Sequence, residues 1–139
     1  MKSPIAYLGG KSRLVSTLVP IIEATPHVCY CEPFCGAAWV FFGKPEACSG
    51  CEVINDLDGE LVRFWRCVQR HYLPLIDLYR HAVVSREVFE WLRMERPETL
   101  TDLQRAARYY YLQRMSFGGK VAGRTFGYSA TERPRLDVD

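Results

Sequence analysis

Val28-Cys-Tyr-Cys-Glu-Pro-Phe-Cys-Gly-Ala-Ala-Trp-Val-Phe-Phe42 is the stretch on which the fold of this chain turns. Val28 to Glu32 has the composition of a short strand, and Ala37 to Phe42 resumes as a short apolar helix. Between them lie an acid, a proline and a glycine. A strand ending in Glu32, a turn through Pro33, Phe34, Cys35 and Gly36, and a helix starting near Ala37 make the strand-turn-helix element used by nucleotide-like ligands. Backbone amides at such a helix start can hold an anionic group, and Gly36 lets a ligand approach the main chain closely. An ordinary strand-helix turn fits the same residues, because the three-glycine fingerprint is absent.

Working outward, EVIN (Glu52 to Asn55) gives a second strand. It delivers Asp56, 24 residues beyond Glu32, the approximate spacing of an acid that reaches ribose hydroxyls. Asp56 could also cap the helix that follows, since Asp56 to Arg70 carries Leu57, Leu61, Phe64, Trp65 and Val68 as an apolar stripe. On the amino-terminal side, Lys11 to Ala24 has helical periodicity (Leu14, Leu18, Ile21, Ile22), bent or ended near Pro20. Towards the carboxy terminus Ser85 opens SREVFEWLRM, and Thr101-Asp102 caps LQRAARYYYLQRM. Tyr109, Tyr110 and Tyr111 read as helix packing, since a helix turns at least one of three successive rings inward. After Met115 the helical period stops. Glycines at 118, 119, 123 and 127 alternate with basic and aromatic residues, the texture of a loop.

Composition bounds the function. The 139 residues are 48% hydrophobic and 13% aromatic, enough for the core of one small domain. A formal charge of +2 does not by itself demand a nucleic-acid partner, but a local basic face can exist without moving the total. No apolar stretch approaches the roughly 18 residues of a membrane span, and the start lacks a signal-peptide core, so a cytoplasmic protein without membrane association is expected.

Six cysteines without a secretory signal read as thiols in a reducing compartment. Cys29, Cys31, Cys48 and Cys51 form C-x-C, a gap of sixteen residues and C-x-x-C, close to some zinc-ribbon spacings. Ribbons usually place C-x₂₋₄-C pairs on turns, whereas Cys29 and Cys31 lie in a strand and can equally be small core residues. A small zinc-stabilised interaction domain therefore stays open as an alternative, and metal ligands are otherwise expected to be none.

AYLGGKSRL near the amino terminus, EPFCGAAWVFF, EVINDLDGEL and YYYLQRMSFGG, in that order, resemble the Dam-type adenine-specific DNA methyltransferases. The resemblance covers nearly the whole chain but corresponds to the amino-terminal half of such an enzyme. It implies an α/β fold, an incomplete Rossmann-like methyltransferase sheet with a helical target-recognition insertion. Residues 1–56 would form the amino-terminal part of the S-adenosylmethionine-binding domain, 57–115 the helical target-recognition region, and 116–139 a glycine-rich DNA-contacting loop and truncated tail. S-adenosylmethionine would lie against Tyr7, Gly10 and Lys11, with Glu32, Pro33, Phe34 and Gly36 near its methionine end and Asp56 on the ribose. Double-stranded DNA would be met by Arg114, Phe117, Lys120 and Arg124, with Phe126 and Tyr128 interleaved; basic residues suit phosphates and rings can wedge against bases. Without the resemblance, Lys11 reads as a solvated surface residue, Tyr7 as core and the glycine-rich stretch as a mobile surface loop. Ala38 stands where the family commonly has a second glycine, Trp39 where a small residue is usual, and Gly118 where asparagine is frequent.

The family holds the flipped target adenine with an Asp-Pro-Pro-Tyr type motif. No two of the eight prolines here are adjacent, so no residue of this chain is assigned a catalytic role. The resemblance then implies a fragment or split half that requires a complementary carboxy-terminal part, with a noncatalytic DNA- or cofactor-binding remnant as the alternative. The Val28 to Glu32 strand would be left with an unpaired edge.

Overall fold

The computed structural model describes residues 3–5, 7–46, 50–127 and 136. The chain divides into two compact units, Met1–Leu57 and Asp58–Asp139. Among the described residues no helix is long and apolar enough to cross a membrane.

The first unit is mixed helix and sheet. A 3-10 turn at Lys11–Leu14 leads into α1 (Val15–Ala24), which is followed by β1 (Cys29–Glu32), α2 (Trp39–Gly43) and β2 (Cys51–Ile54). Pro20 lies inside α1 without ending it. Its missing N–H and its ring are tolerated on an exposed face of a short helix. β1 and β2 pair in parallel, with Cys29 opposite Cys51 and Glu32 opposite Ile54. Parallel strands need a crossover, and here the crossover contains α2. Gly43 is where α2 meets α1: a Cβ there would lie 2.6 Å from Val15 Cγ1, so only glycine permits this approach.

Two expectations change here. The helix after the turn begins at Trp39 rather than near Ala37, because Ala38 has a left-handed backbone, φ 52° and ψ 34°. Cys29 and Cys31 are exposed, not core residues. Cys48 lies outside the described residues, so the cysteine quartet has no geometry to report.

The second unit is helical: α3 (Gly59–Asp77), α4 (Arg86–Met94) and α5 (Asp102–Met115). The cap of α3 is Asp58, not Asp56: Asp58 Oδ1 accepts from the Glu60 and Leu61 amides at 3.0 and 3.4 Å. Leu57 precedes the helix and is exposed, while Leu61, Phe64 and Trp65 carry the buried stripe. α3 breaks at His71 (φ −136°), one residue beyond the Arg70 carbonyl with which the ring of Pro74 would clash in a continuous helix. Ser85 caps α4 through the Glu87 amide, and Thr101 forms a capping box with Gln104 on α5.

The core of this unit is aromatic. The Phe64 ring lies 4.9 Å from Trp65, 5.9 Å from Tyr109 and 5.8 Å from Tyr110, nearly parallel to the last. Tyr109, Tyr110 and Tyr111 are all buried. Tyr111 reaches the segment before α4, its hydroxyl accepting from the Ser85 amide at 3.1 Å and donating to the Val83 carbonyl at 2.9 Å. At the edges of the α3–α5 packing, Arg105 Nε donates to Glu60 at 2.8 Å and Arg63 pairs with Asp102 at 2.6 Å.

Candidate functional site

The ends of β1 and β2 are stitched together by main-chain hydrogen bonds. The Asn55 amide donates to the Glu32 carbonyl and the Cys35 amide donates to the Asn55 carbonyl, each at 2.9 Å. Directly beyond, the Gly36 amide donates to Asp56 Oδ2 at 2.8 Å. The turn Pro33 to Gly36 is thus carried by the end of the second strand, and Asp56 faces the turn. Gly36 has φ 51°, a conformation that favours glycine. A Cβ added there would stand 3.4 Å from the Tyr7 ring, so Tyr7 lies over the turn.

The amino-terminal segment supplies the other side. Lys11 Nζ donates to the Phe34 carbonyl at 2.5 Å and lies 2.6 Å from Glu32 Oε1. The Gly10 amide closes a turn onto the Tyr7 carbonyl at 2.9 Å, and a Cβ on Gly10 would meet the Trp39 indole at 3.3 Å. Glu32 is buried, and its Oε2 accepts from the Tyr30 hydroxyl at 2.9 Å. Tyr7, Gly10, Lys11, Glu32, Gly36 and Asp56 therefore gather around one turn. Phe34 contributes its carbonyl, its ring being exposed, and Pro33 is exposed beside it.

Electrostatically the site is an acid pair, Glu32 and Asp56, offset by one lysine. The buried Cys35 thiol records that field. Burial first, then Asp56 and Glu32, push it up to about 11, so it stays protonated and is no nucleophile near neutral pH. The amide at Gly36 is engaged by Asp56, so the turn's polar character comes from carboxylates rather than from free helix-start amides. Such a set suits hydroxyl and ammonium donors.

In the second unit, Ser116 and Phe126 form an antiparallel bridge, with the Phe117 amide donating to the Thr125 carbonyl and the Gly127 amide to the Met115 carbonyl. The glycine-rich loop is thus closed at its base. Phe117 and Lys120 are exposed on it. Arg124 turns inward: its Nη2 donates to Gln113 Oε1 at 3.1 Å, and its guanidinium lies 5.1 Å from the Tyr109 ring centre. Gln113, fully buried, donates in turn to the Gly119 carbonyl at 2.8 Å. The Arg114 guanidinium lies 6.0 Å from the Tyr110 ring centre. Tyr128 lies outside the described residues.

A family model for the D12 class N6 adenine-specific DNA methyltransferases matches residues 7–127. The chain belongs to this family. Adenine-specific DNA methylation is thus the activity its family indicates, and the matched span runs from Tyr7 to Gly127, across the strand-end turn and the bridged loop. Two side chains near the turn were not singled out from the sequence. Tyr30 shares a face with Glu32 by the two-residue period of a strand, which was the available signal. Lys44, whose side chain is 1% exposed and pairs with Glu52, had none, because its position depends on the packing of α2.

Proposed function

We propose that the turn between β1 and α2 is one side of an S-adenosylmethionine site, and that the chain takes part in N6-adenine methylation of double-stranded DNA. The observation that carries this reading is the convergence of Lys11, Glu32 and Asp56 on a glycine turn at the ends of two parallel strands. Residues 1–56 then act as the amino-terminal part of a Rossmann-like cofactor domain, 57–115 as a helical target-recognition region and 116–139 as a DNA-contacting segment.

The residues fit the cofactor chemically. The Asp56 carboxylate would accept from the ribose hydroxyls, Glu32 from the ammonium of the methionine end, and the Tyr7 ring would pack on the adenine. When bound, S-adenosylmethionine supplies a methyl group on a positively charged sulfur. The two carboxylates of the turn suit the positive charge of such a ligand, while the buried neutral Cys35 offers no competing nucleophile. The exposed Phe117 and Lys120 suit stacking and phosphate contact. The Asp-Pro-Pro-Tyr type tetrapeptide that would hold the target amino group is absent from the 139 residues, and in this reading it is supplied from outside them.

The test is methyl transfer to DNA from labelled S-adenosylmethionine, with this chain alone and mixed with a carboxy-terminal half carrying the tetrapeptide. Activity only in the mixture is the expected result. Salt-dependent DNA binding with no transfer in either case would instead favour a noncatalytic remnant. Asp56→Asn should weaken cofactor binding about tenfold or more, with the circular dichroism spectrum retained; an unchanged affinity would remove Asp56 as the ribose ligand.

A further inference from the structure

Glu32 is held by two unlike partners. Lys11 approaches Oε1 from a side chain that is 30% exposed and shares its ammonium with the Phe34 carbonyl. Tyr30 approaches Oε2 from the same strand face, and its ring is fixed from behind: Lys44 Nζ lies 4.9 Å from the ring centre. Lys44 is itself anchored, paired with Glu52 and 5.5 Å from the Phe41 ring. Burial, followed by the Glu32 carboxylate, pushes the Tyr30 hydroxyl well above its ordinary range, so it remains a donor across physiological pH. Glu32 Oε1 is buried and, apart from the ion pair with Lys11, accepts no aligned hydrogen bond among the described residues.

We propose that Tyr30 is a positioning residue for ligand binding: it fixes Glu32 through Oε2 and leaves Oε1 to accept from the ammonium group of an amino-acid-bearing nucleoside ligand. Lys11 is the yielding partner. Its side chain is partly exposed, which leaves it room to withdraw from Oε1 while Tyr30 keeps the carboxylate in orientation. The inference rests on the cofactor reading above and adds the division of labour between the two oxygens. Preorganising one carboxylate matters because an acid free to rotate would have to be ordered by the ligand itself.

The experiment compares two ligands on the full chain by calorimetry: S-adenosylhomocysteine, which carries the amino-acid end, and 5′-methylthioadenosine, which has the nucleoside without it. Tyr30→Phe retains the ring over Lys44 and removes only the hydroxyl. It should weaken S-adenosylhomocysteine about five- to tenfold and leave methylthioadenosine unchanged. In Glu32→Gln the further change Tyr30→Phe should cost much less than in the native chain, since both act through one carboxylate. Equal losses for both ligands would make Tyr30 merely structural, and unchanged affinity for both would remove it from the site; either overturns the proposal. If the native chain binds neither ligand, the cofactor reading falls and this inference with it, whereas binding insensitive to Tyr30→Phe overturns this inference alone.

Discussion

The two units of this chain are held together by different physics. In Asp58–Asp139 the buried set is large and aromatic, with Trp65, Tyr109 and Tyr110 each packed on Phe64 and three helices begun by side-chain caps. In Met1–Leu57 the buried apolar residues near the turn are small, Cys35, Ala37, Ala38 and Val40, and the ordering is done by main-chain bonds and carboxylates. Apolar contact is non-directional and tolerates approximation, whereas a polar turn works only in one geometry. The second unit is thus ordered chiefly by apolar packing, and the turn of the first chiefly by directional polar bonds.

The largest expected effect tests the aromatic side of that contrast. Phe64 is 2% exposed, and Phe64→Ala removes the ring that joins α3 to α5, which should cost about 3–5 kcal/mol in urea unfolding. A loss below about 1 kcal/mol would mean that the helices are held by their ion pairs instead.

Next in size is the alkaline effect of the Cys35 thiol in the polar turn. The ordinary value of Cys35 is 9.0 and its environment raises it to about 11. Between these values the unfolded chain has released a proton that the folded chain still holds, so stability is whole below pH 9 and is lost as pH rises toward 11. The loss should be about 1–2 kcal/mol, and Cys35→Ala should abolish this part of it while lowering stability at pH 8. Parallel pH profiles for the two chains would show that burial and the two carboxylates do not raise the thiol. Below these comes Thr101→Ala, which opens the capping box of α5 and should cost about 1 kcal/mol. Thermal unfolding would measure it, and no change would place α5 wholly under the control of its packing.

The sequence made the helical unit legible because its signals are local. Ser85 and Thr101 were read as helix starts and stand as caps, and Leu61, Phe64 and Trp65 follow the helical period. The alternative cap role of Asp56 is instructive: two acids two residues apart are both competent caps, and only the backbone decides that Asp58 turns toward α3 while Asp56 turns back to Gly36. The strands were found within a residue because β1 and β2 are bounded by acids and turn residues. What escaped reading was the Tyr30–Glu32 pair, whose two-residue spacing is local but whose shared face is covered only in the fold, and two non-local contacts, the burial of Lys44 and the inward turn of Arg124 onto Tyr109. Each depends on a partner eight or more residues away or on which face of a strand is covered.

The smallest effects come from two neighbouring residues with nearly the same backbone, Gly36 at φ 51° and Ala38 at φ 52°. Left-handed geometry costs an L residue roughly 1–2 kcal/mol and glycine almost nothing. Gly36→Ala should therefore destabilise the turn by about 1 kcal/mol, the strain being partly offset by a stiffer unfolded chain; the new methyl meets the Tyr7 ring only at ordinary contact distance. The reverse change is not its mirror image. Ala38 is 0% exposed, so Ala38→Gly relieves the strain but gives up a buried methyl worth about 0.8 kcal/mol and loosens the unfolded chain by about 0.4–1 kcal/mol. The terms nearly cancel, and the expected change is within about 0.5 kcal/mol of zero by urea unfolding. A gain above about 1 kcal/mol would show that the Ala38 methyl contributes no packing. The small-residue core would then matter even less to the first unit than its polar bonds, and the contrast with the aromatic unit would sharpen.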